Sequence, residues 1–145
     1  MEYFLRFSEQ LKELLFDKNV TPELLSHKLN IDLSLIYKWQ RNQSVPSLDN
    51  IIKLSDYFES SIDFIAGRKE QNYYSKHKKT VPFKERLQKI ISNSGLSNYA
   101  FGKKYSIPRT TLWHWIHGNS APLLDSLIKL ADLLDVTIDY LVGRE

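Results

Sequence analysis

The chain has 145 residues, a formal net charge of +3, no Cys and 42 % hydrophobic residues. This composition excludes a disordered chain, disulfides and Cys-based zinc sites. No run approaches the ~20 apolar residues of a membrane span, and the N-terminus lacks a basic-then-apolar leader, so we expect a cytoplasmic protein with no membrane partner.

The positive charge is unevenly distributed along the chain. Residues 1–68 contain 8 Lys or Arg and 10 Asp or Glu, whereas residues 83–145 contain 8 and 6. The stretch between them, residues 69–82, contains 4 basic residues and 1 acidic residue. This basic excess in the middle and C-terminal parts permits binding to a polyanion without requiring it.

An internal repeat defines the organisation of the chain. A shift of 76 positions aligns residues 7–69 with residues 83–145 without a gap, with 18 identities in 63 pairs. Two such identities are Trp39 with Trp115 and Asp63 with Asp139. We therefore predict two tandem copies of one small all-α domain, at residues 1–68 and 82–145, joined by a linker at 69–81.

The first two helices of each copy follow from apolar spacing and capping residues. Phe7, Leu11 and Leu14 repeat at helical spacing, and the corresponding helix of the second copy starts at Pro82. Thr21 and Ser97 are predicted N-caps of the second helix, because a hydroxyl accepts a free first-turn N–H. The predicted core residues of this helix in the first copy are Leu24, Leu25 and Leu29.

The third helix of the second copy has an unusual open face. Pro108 and Gly118 are suitable residues to begin and end a helix of about three turns. Leu112, Trp115 and Ile116 share one side, and the other side carries Arg, Thr, Trp and His side chains without a carboxylate. Such a face favours contact with the base edges and phosphates of a nucleic acid.

The remaining elements complete a five-helix unit. The third helix of the first copy is expected from about Leu33 to Arg41. A short loop ends at Pro46 or Pro122 and a fourth amphipathic helix follows, while Ser61 and Thr137 cap a last short helix. No stretch alternates with a period of two, so the sequence predicts no strands.

At these residues the sequence resembles the Cro/lambda-repressor-like family of helix-turn-helix regulators, also called XRE-type. The resemblance covers both copies and lies in the turn at residues 29–31, the two Trp positions, the Ser-x-Pro loops and the endings at residues 62–67 and 138–143. It departs from the family pattern at the start of the second helix, where Pro22 and Asn98 replace Gln. It also departs after the Trp, where Gln40 and Ile116 replace Glu.

The resemblance implies which residues face DNA. Arg109 is the strongest candidate for a base contact, because a guanidinium pairs bidentately with guanine. Ser97 and Thr21 begin helices whose N–H groups suit phosphate, and Asn119 follows the third helix. The full set of implied DNA-binding residues is Arg109, Thr110, Trp113, His114, His117, Ser97, Asn98 and Asn119 in the second copy, and Thr21, Leu33, Ser34, Tyr37, Lys38 and Arg41 in the first.

Other site chemistries have less support. His114 and His117 lie three residues apart, but structural zinc needs about four ligands, so we predict neither a metal site nor a cofactor. No catalytic motif, Gly-rich phosphate loop or small-molecule site is evident, and we predict that the protein is not an enzyme. The linker residues Tyr73, Tyr74, Lys76, His77, Lys78 and Lys79 are either a basic arm on the phosphate backbone or a solvated tether.

We therefore expect a sequence-specific regulator of transcription that binds double-stranded DNA and acts as a repressor. The alternative is a protein-interaction module of the same fold, such as an antitoxin-like or anti-repressor partner, which the acidic first copy favours. A free linker would span about 46–50 Å and permit both copies to reach half-sites about 34–36 Å apart. Alternatively, the apolar last helices would pair between chains and form a homodimer.

Overall fold

The computed structural model describes residues 2–76 and 79–145, with side chains from residue 6 onward, and these residues form two copies of five helices. No strand occurs in the described ranges. The helices of the first copy are α1 (Glu2–Asp17), α2 (Pro22–Leu29), α3 (Leu33–Gln40), α4 (Leu48–Phe58) and α5 (Ile62–Ile65). Those of the second are α6 (Phe83–Ser94), α7 (Asn98–Lys104), α8 (Arg109–His117), α9 (Leu124–Leu134) and α10 (Ile138–Leu141).

Local capping fixes the corner between the second and third helices of each copy. The Thr21 hydroxyl accepts from Leu24 N at 3.1 Å, and the Ser97 hydroxyl accepts from Ala100 N at 3.1 Å. Asn30 and Ser106 adopt positive φ values of 53° and 57°, so the chain turns sharply there. The predicted N-caps Thr21 and Ser97 are thus confirmed.

A pair of aromatic side chains holds each third helix against the first helix of its copy. Phe7 and Trp39 pack edge to face at 6.1 Å between ring centroids, and Phe83 and Trp115 repeat this contact at 6.3 Å. Both Trp side chains are buried. The prediction for Leu24 was wrong, since this side chain is 40 % exposed while Leu25 faces the core. An eight-residue helix buries only one narrow face, and adjacent residues lie about 100° apart on it.

The two copies pack against each other through the short last helices, α5 and α10, and through α1 and α9. The described parts of the linker are docked on the copies. Asn72 accepts from Ser61 N at 2.9 Å, and Val81 N donates to Gly143 O at 2.8 Å, so each end of the linker is bound to one copy. The reach of about 46–50 Å for a free linker therefore does not describe these docked ends.

None of the helices in the described ranges has the length and apolar character needed to cross a membrane.

Candidate nucleic-acid interface

Helix α8 presents a fixed surface because both of its ends are defined. Pro108 precedes its first residue, and Gly118 closes it with a φ of +76°, a conformation that favours glycine. Leu112 and Trp115 are buried against the rest of the copy, which orients the helix. The opposite side is therefore held in one orientation toward solvent.

Most of the predicted contact residues lie on that solvent side. Arg109, Thr110, Trp113 and His117 are exposed, while His114 is half-buried. Trp113 has 51 % of its surface exposed, an unusual amount for an indole. Sequence reasoning placed these side chains on the open side, and their exposures agree with that placement.

Internal contacts order the aromatic part of this surface. The Trp113 and His117 rings stack with centroids 4.1 Å apart, and His117 Nδ1 lies 2.7 Å from Trp113 O. Because a carbonyl oxygen only accepts, Nδ1 carries the hydrogen in this contact, and Nε2 of the neutral ring is then an acceptor. His114 contacts the edge of Trp113, and its Nδ1 lies 3.4 Å from Asn119 Nδ2. The rings are thus positioned before anything binds.

A groove of about 610 Å³ runs between α7 and α8. It brings together five of the predicted residues: Ser97, Asn98, Arg109, Trp113 and His117. Lys103 and Tyr99 also line it, and the Lys103 ammonium lies 5.8 Å from the Tyr99 ring centroid. These two residues were not predicted. A comparison of the two copies could have found them, because the corresponding positions of the first copy hold different residues, Glu23 and His27.

The corresponding surface of the first copy is engaged with its own carboxylates. Tyr37 donates to Glu23 at 2.7 Å, and the Ser34 hydroxyl donates to Asp32 at 3.0 Å. The Tyr37 hydrogen bond lowers the pKa of Glu23, and hydrogen bonds from the Ser34 backbone and side chain lower the pKa of Asp32. Both carboxylates are therefore ionised at neutral pH beside this helix.

The cationic residues of the first copy lie around these carboxylates. Lys38 and Arg41 are exposed, Leu33 is half-buried, and Thr21 is exposed while its hydroxyl caps α2. The predicted residues of the first copy thus occur on one helix-turn-helix unit. The surface of this unit carries both acidic and basic side chains, whereas the outward face of α8 in the second copy carries no carboxylate.

The basic linker contributes less free charge than its sequence indicates. Lys76 pairs with Glu59 at 2.7 Å, and Tyr74 donates to Asp56 at 3.2 Å. Lys79 is exposed, whereas His77 and Lys78 lie outside the described residues. Among the described lysines of the proposed basic arm, both Lys76 and Lys79 are exposed, and Lys76 has an acidic partner.

In each copy, two helices meet at a sharp turn and the second of them exposes a polar face, which defines a helix-turn-helix protein. A helix-turn-helix family model matches residues 11–65 and residues 85–141. The two matches together cover more than half of the chain. The chain belongs to this helix-turn-helix family, of the XRE type, in two tandem copies.

Two regulators are among the relatives of this chain. It is 29 % identical over 66 residues to the HTH-type transcriptional activator BcrR of Enterococcus faecalis, a match covering 46 % of this chain and 32 % of the relative. It is 30 % identical over 78 residues to the cryptic phage CTXphi transcriptional repressor RstR of Vibrio cholerae, covering 51 % and 70 %. This chain thus spans about one third of the activator's length. No solved structure matches the chain.

Proposed function

We propose that this protein is a sequence-specific regulator of transcription that binds double-stranded DNA and reads the major groove chiefly with α8. The observation that carries the proposal is the outward face of α8, where Arg109, Thr110 and Trp113 are exposed and no carboxylate is present. Family membership and the two regulator relatives support the same function.

Each part of the α7–α8 unit suits one kind of DNA contact. The Arg109 guanidinium matches guanine O6 and N7, and Thr110 suits a thymine methyl or a base acceptor. The residues at the start of α7, Ser97 and Asn98, offer polar groups to a phosphate, as does Asn119 after α8. Phosphate contacts would set the position of α8 on the duplex, and the base contacts would select the sequence.

We propose repression as the regulatory outcome. A protein seated in the major groove at a promoter excludes other proteins from that stretch of DNA. One relative is named an activator and the other a repressor, and the repressor is the relative matched over the larger share of its length.

A second candidate function applies to the first copy. Its third helix is flanked by the exposed carboxylates of Glu23 and Asp32, which repel phosphate. These groups already hold Tyr37 and Ser34, two of the residues that would contact DNA. The first copy is therefore also a candidate for binding a protein partner, such as an antitoxin-like or anti-repressor module.

The test is selection of the full chain on random-sequence duplexes, followed by affinity measurements at about 50 mM and about 200 mM salt. We expect one enriched sequence and an affinity that falls steeply between the two salt concentrations, because bound phosphates release counterions. Absence of both enrichment and salt dependence would overturn the proposal in favour of a protein-interaction module.

A further inference from the structure

The short helices α5 and α10 cap each other across the contact between the two copies. The Asp63 carboxylate accepts from Ile138 N at 2.9 Å and from Asp139 N at 3.3 Å. In return, the Asp139 carboxylate accepts from Ile62 N at 3.2 Å and from Asp63 N at 3.3 Å. We call α5 and α10 together the helix pair. Each carboxylate satisfies first-turn donors of the opposite helix.

Two arginines repeat the same symmetry outside the helix pair. Arg68 binds Asp132 of the second copy at 2.8 Å, and Arg144 binds Asp56 of the first copy at 2.6 Å. Residues 68 and 144, and likewise 56 and 132, differ by the repeat offset of 76. The caps and these ion pairs are therefore each made twice in opposite directions, as in a two-fold symmetric dimer, but within one chain.

The side chains at the contact between the two copies are buried. Ile62, Ile65, Ile138 and Leu141 have no exposed surface, and Asp63 and Asp139 are each 2 % exposed. A four-residue helix is unstable by itself, so α5 and α10 persist through the packing around them. The hydrogen bonds of the helix pair are directional, so another relative orientation of the copies would leave buried donors and acceptors without partners. Each such unsatisfied group would lower the stability of that orientation.

Each end of the linker is docked on the copy next to it. Asn72 Nδ2 donates to Glu59 O at 3.0 Å while its Oδ1 accepts from Ser61 N, so the chain after α5 is bound to the first copy. The other end of the linker is bound through Val81 N and Gly143 O. The described parts of the linker thus lie on the two copies instead of separating them.

We infer that the two copies act on DNA as one rigid intramolecular pair, so that a single chain reads a two-part, asymmetric site at one fixed spacing. The inference rests on the proposed function. The helix pair joins the copies through α5 and α10, which leaves exposed side chains on α3 and α8 for the two halves of the site. The halves differ because Leu33 and Ser34 in one copy correspond to Arg109 and Thr110 in the other.

A rigid pair and a tethered pair respond differently to the spacing of the half-sites. Starting from the selected site, we would insert one to about five base pairs between its halves, the last being half of a 10–10.5 bp turn. For the rigid pair, each insertion removes simultaneous contact, and the affinity falls at least about tenfold toward that of one half alone. A flexible tether would tolerate the insertions.

Disruption of the helix pair provides the second arm of the test. The double variant Asp63→Ala/Asp139→Ala should weaken binding to the two-part site at least about tenfold and flatten its dependence on spacing. Its affinity for a single half-site should not change. Glu9→Ala/Glu85→Ala is the matched control, because these residues are also acidic repeat equivalents, are exposed and lie outside the helix pair. The control should keep the spacing dependence.

A milder variant keeps the test decisive if the double aspartate variant fails to fold. Arg68→Ala/Arg144→Ala removes the two outer ion pairs, and with them the 2.6 Å ion pair between Arg68 and Asp63, but it retains the reciprocal caps. It should reduce the spacing dependence in the same direction. A selected site with only one half, or an affinity unchanged by insertions, would overturn the inference while leaving the proposed function in place. Failure to select any sequence would instead overturn the proposed function.

Discussion

Among single side chains, Arg109 is expected to contribute most to sequence selection. Arg109→Ala should weaken binding to the selected site by about 1–3 kcal/mol and relax the preference at one base position. Arg109→Lys is the informative control, because it keeps the charge but lacks the planar fork that matches guanine. It should lose the base preference while keeping the salt dependence. Leu33→Ala, at the equivalent position of the first copy, should alter selectivity less; the reverse order would contradict the assignment to α8.

Asp139 makes the stability of the fold sensitive to pH. Burial and a hydrogen bond with the Asp63 carboxyl raise the pKa of Asp139 from 3.8 to about 6, against the lowering effect of the N–H donors of α5. The folded state therefore binds more protons than the unfolded state between about pH 4 and pH 6, and this contribution to stability is lost as the pH rises through that window. The charged groups around the two carboxylates are Lys69, Arg68, Arg144 and Glu145.

Asp139→Asn tests this contribution, because the amide resembles the protonated acid in shape and stays neutral. Relative to the natural protein, the unfolding free energy of the variant should rise by on the order of 1–3 kcal/mol between about pH 4.5 and pH 7.5. Urea unfolding at several pH values measures this difference. Asp125→Asn, outside the helix pair, is the charge-matched control. A difference that stays constant over the pH range would show that Asp139 does not hold the raised pKa.

At the scale of elements, the docked end of the linker depends on Gly143. This residue has a φ of +87°, and a Cβ built there would lie 2.0 Å from Val81 O, so backbone would have to move. Gly95, which closes α6 with a φ of +74°, has no atom within 4 Å of such a Cβ. The two glycines share a conformation and differ in their surroundings.

We expect Gly95→Ala to cost about 1 kcal/mol of unfolding free energy, from the left-handed conformation alone. Gly143→Ala should cost about 2–4 kcal/mol, because the overpacking adds to that cost and the Val81–Gly143 hydrogen bond is strained or lost. Urea unfolding of both variants measures the difference. Equal losses would mean that the linker end is held loosely.

The elements themselves were largely predictable, because their causes are local. Apolar spacing, the hydroxyl caps at Thr21 and Ser97 and the bracket of Pro108 and Gly118 each act within one turn of helix, and they predicted the helices that form. The contact between copies was not predictable in this way. Asp63 and Asp139 appeared only as one more repeated identity, whereas their roles arise from hydrogen bonds across 75 to 77 residues.

The candidate site was predictable to a similar extent. The exposure of Arg109, Trp113 and His117 follows from helical periodicity and from the burial of Leu112 and Trp115. The hydrogen bond between Tyr37 and Glu23 in the first copy did not follow, since the two residues lie on different helices and meet only after the turn has formed. The ion pair of Lys76 was likewise not predicted, because its partner Glu59 precedes it by 17 positions.

At the scale of the whole molecule, the pairing of α5 with α10 within one chain affects the expected oligomeric state. The helix pair already buries the apolar side chains that a homodimer of this kind would share. We expect a monomer at micromolar concentration and one chain per two-part DNA site, measured by light scattering coupled to size-exclusion chromatography. A stable dimer that binds with two chains would contradict this expectation and favour exchange of the last helices between chains.

The joining of two unlike copies in one chain also affects how a binding specificity can evolve. In a symmetric homodimer one codon encodes both recognition helices, so each substitution alters both halves of a palindrome together. Here α3 and α8 are encoded separately. The polar residues that join the two copies are nevertheless the same in both copies, since Asp56, Asp63 and Arg68 are identical to their repeat equivalents. A single mutation changes recognition of one half and leaves the other half intact as an anchor. Such a lineage is able to move from one operator to another by single steps, each of which keeps part of the affinity.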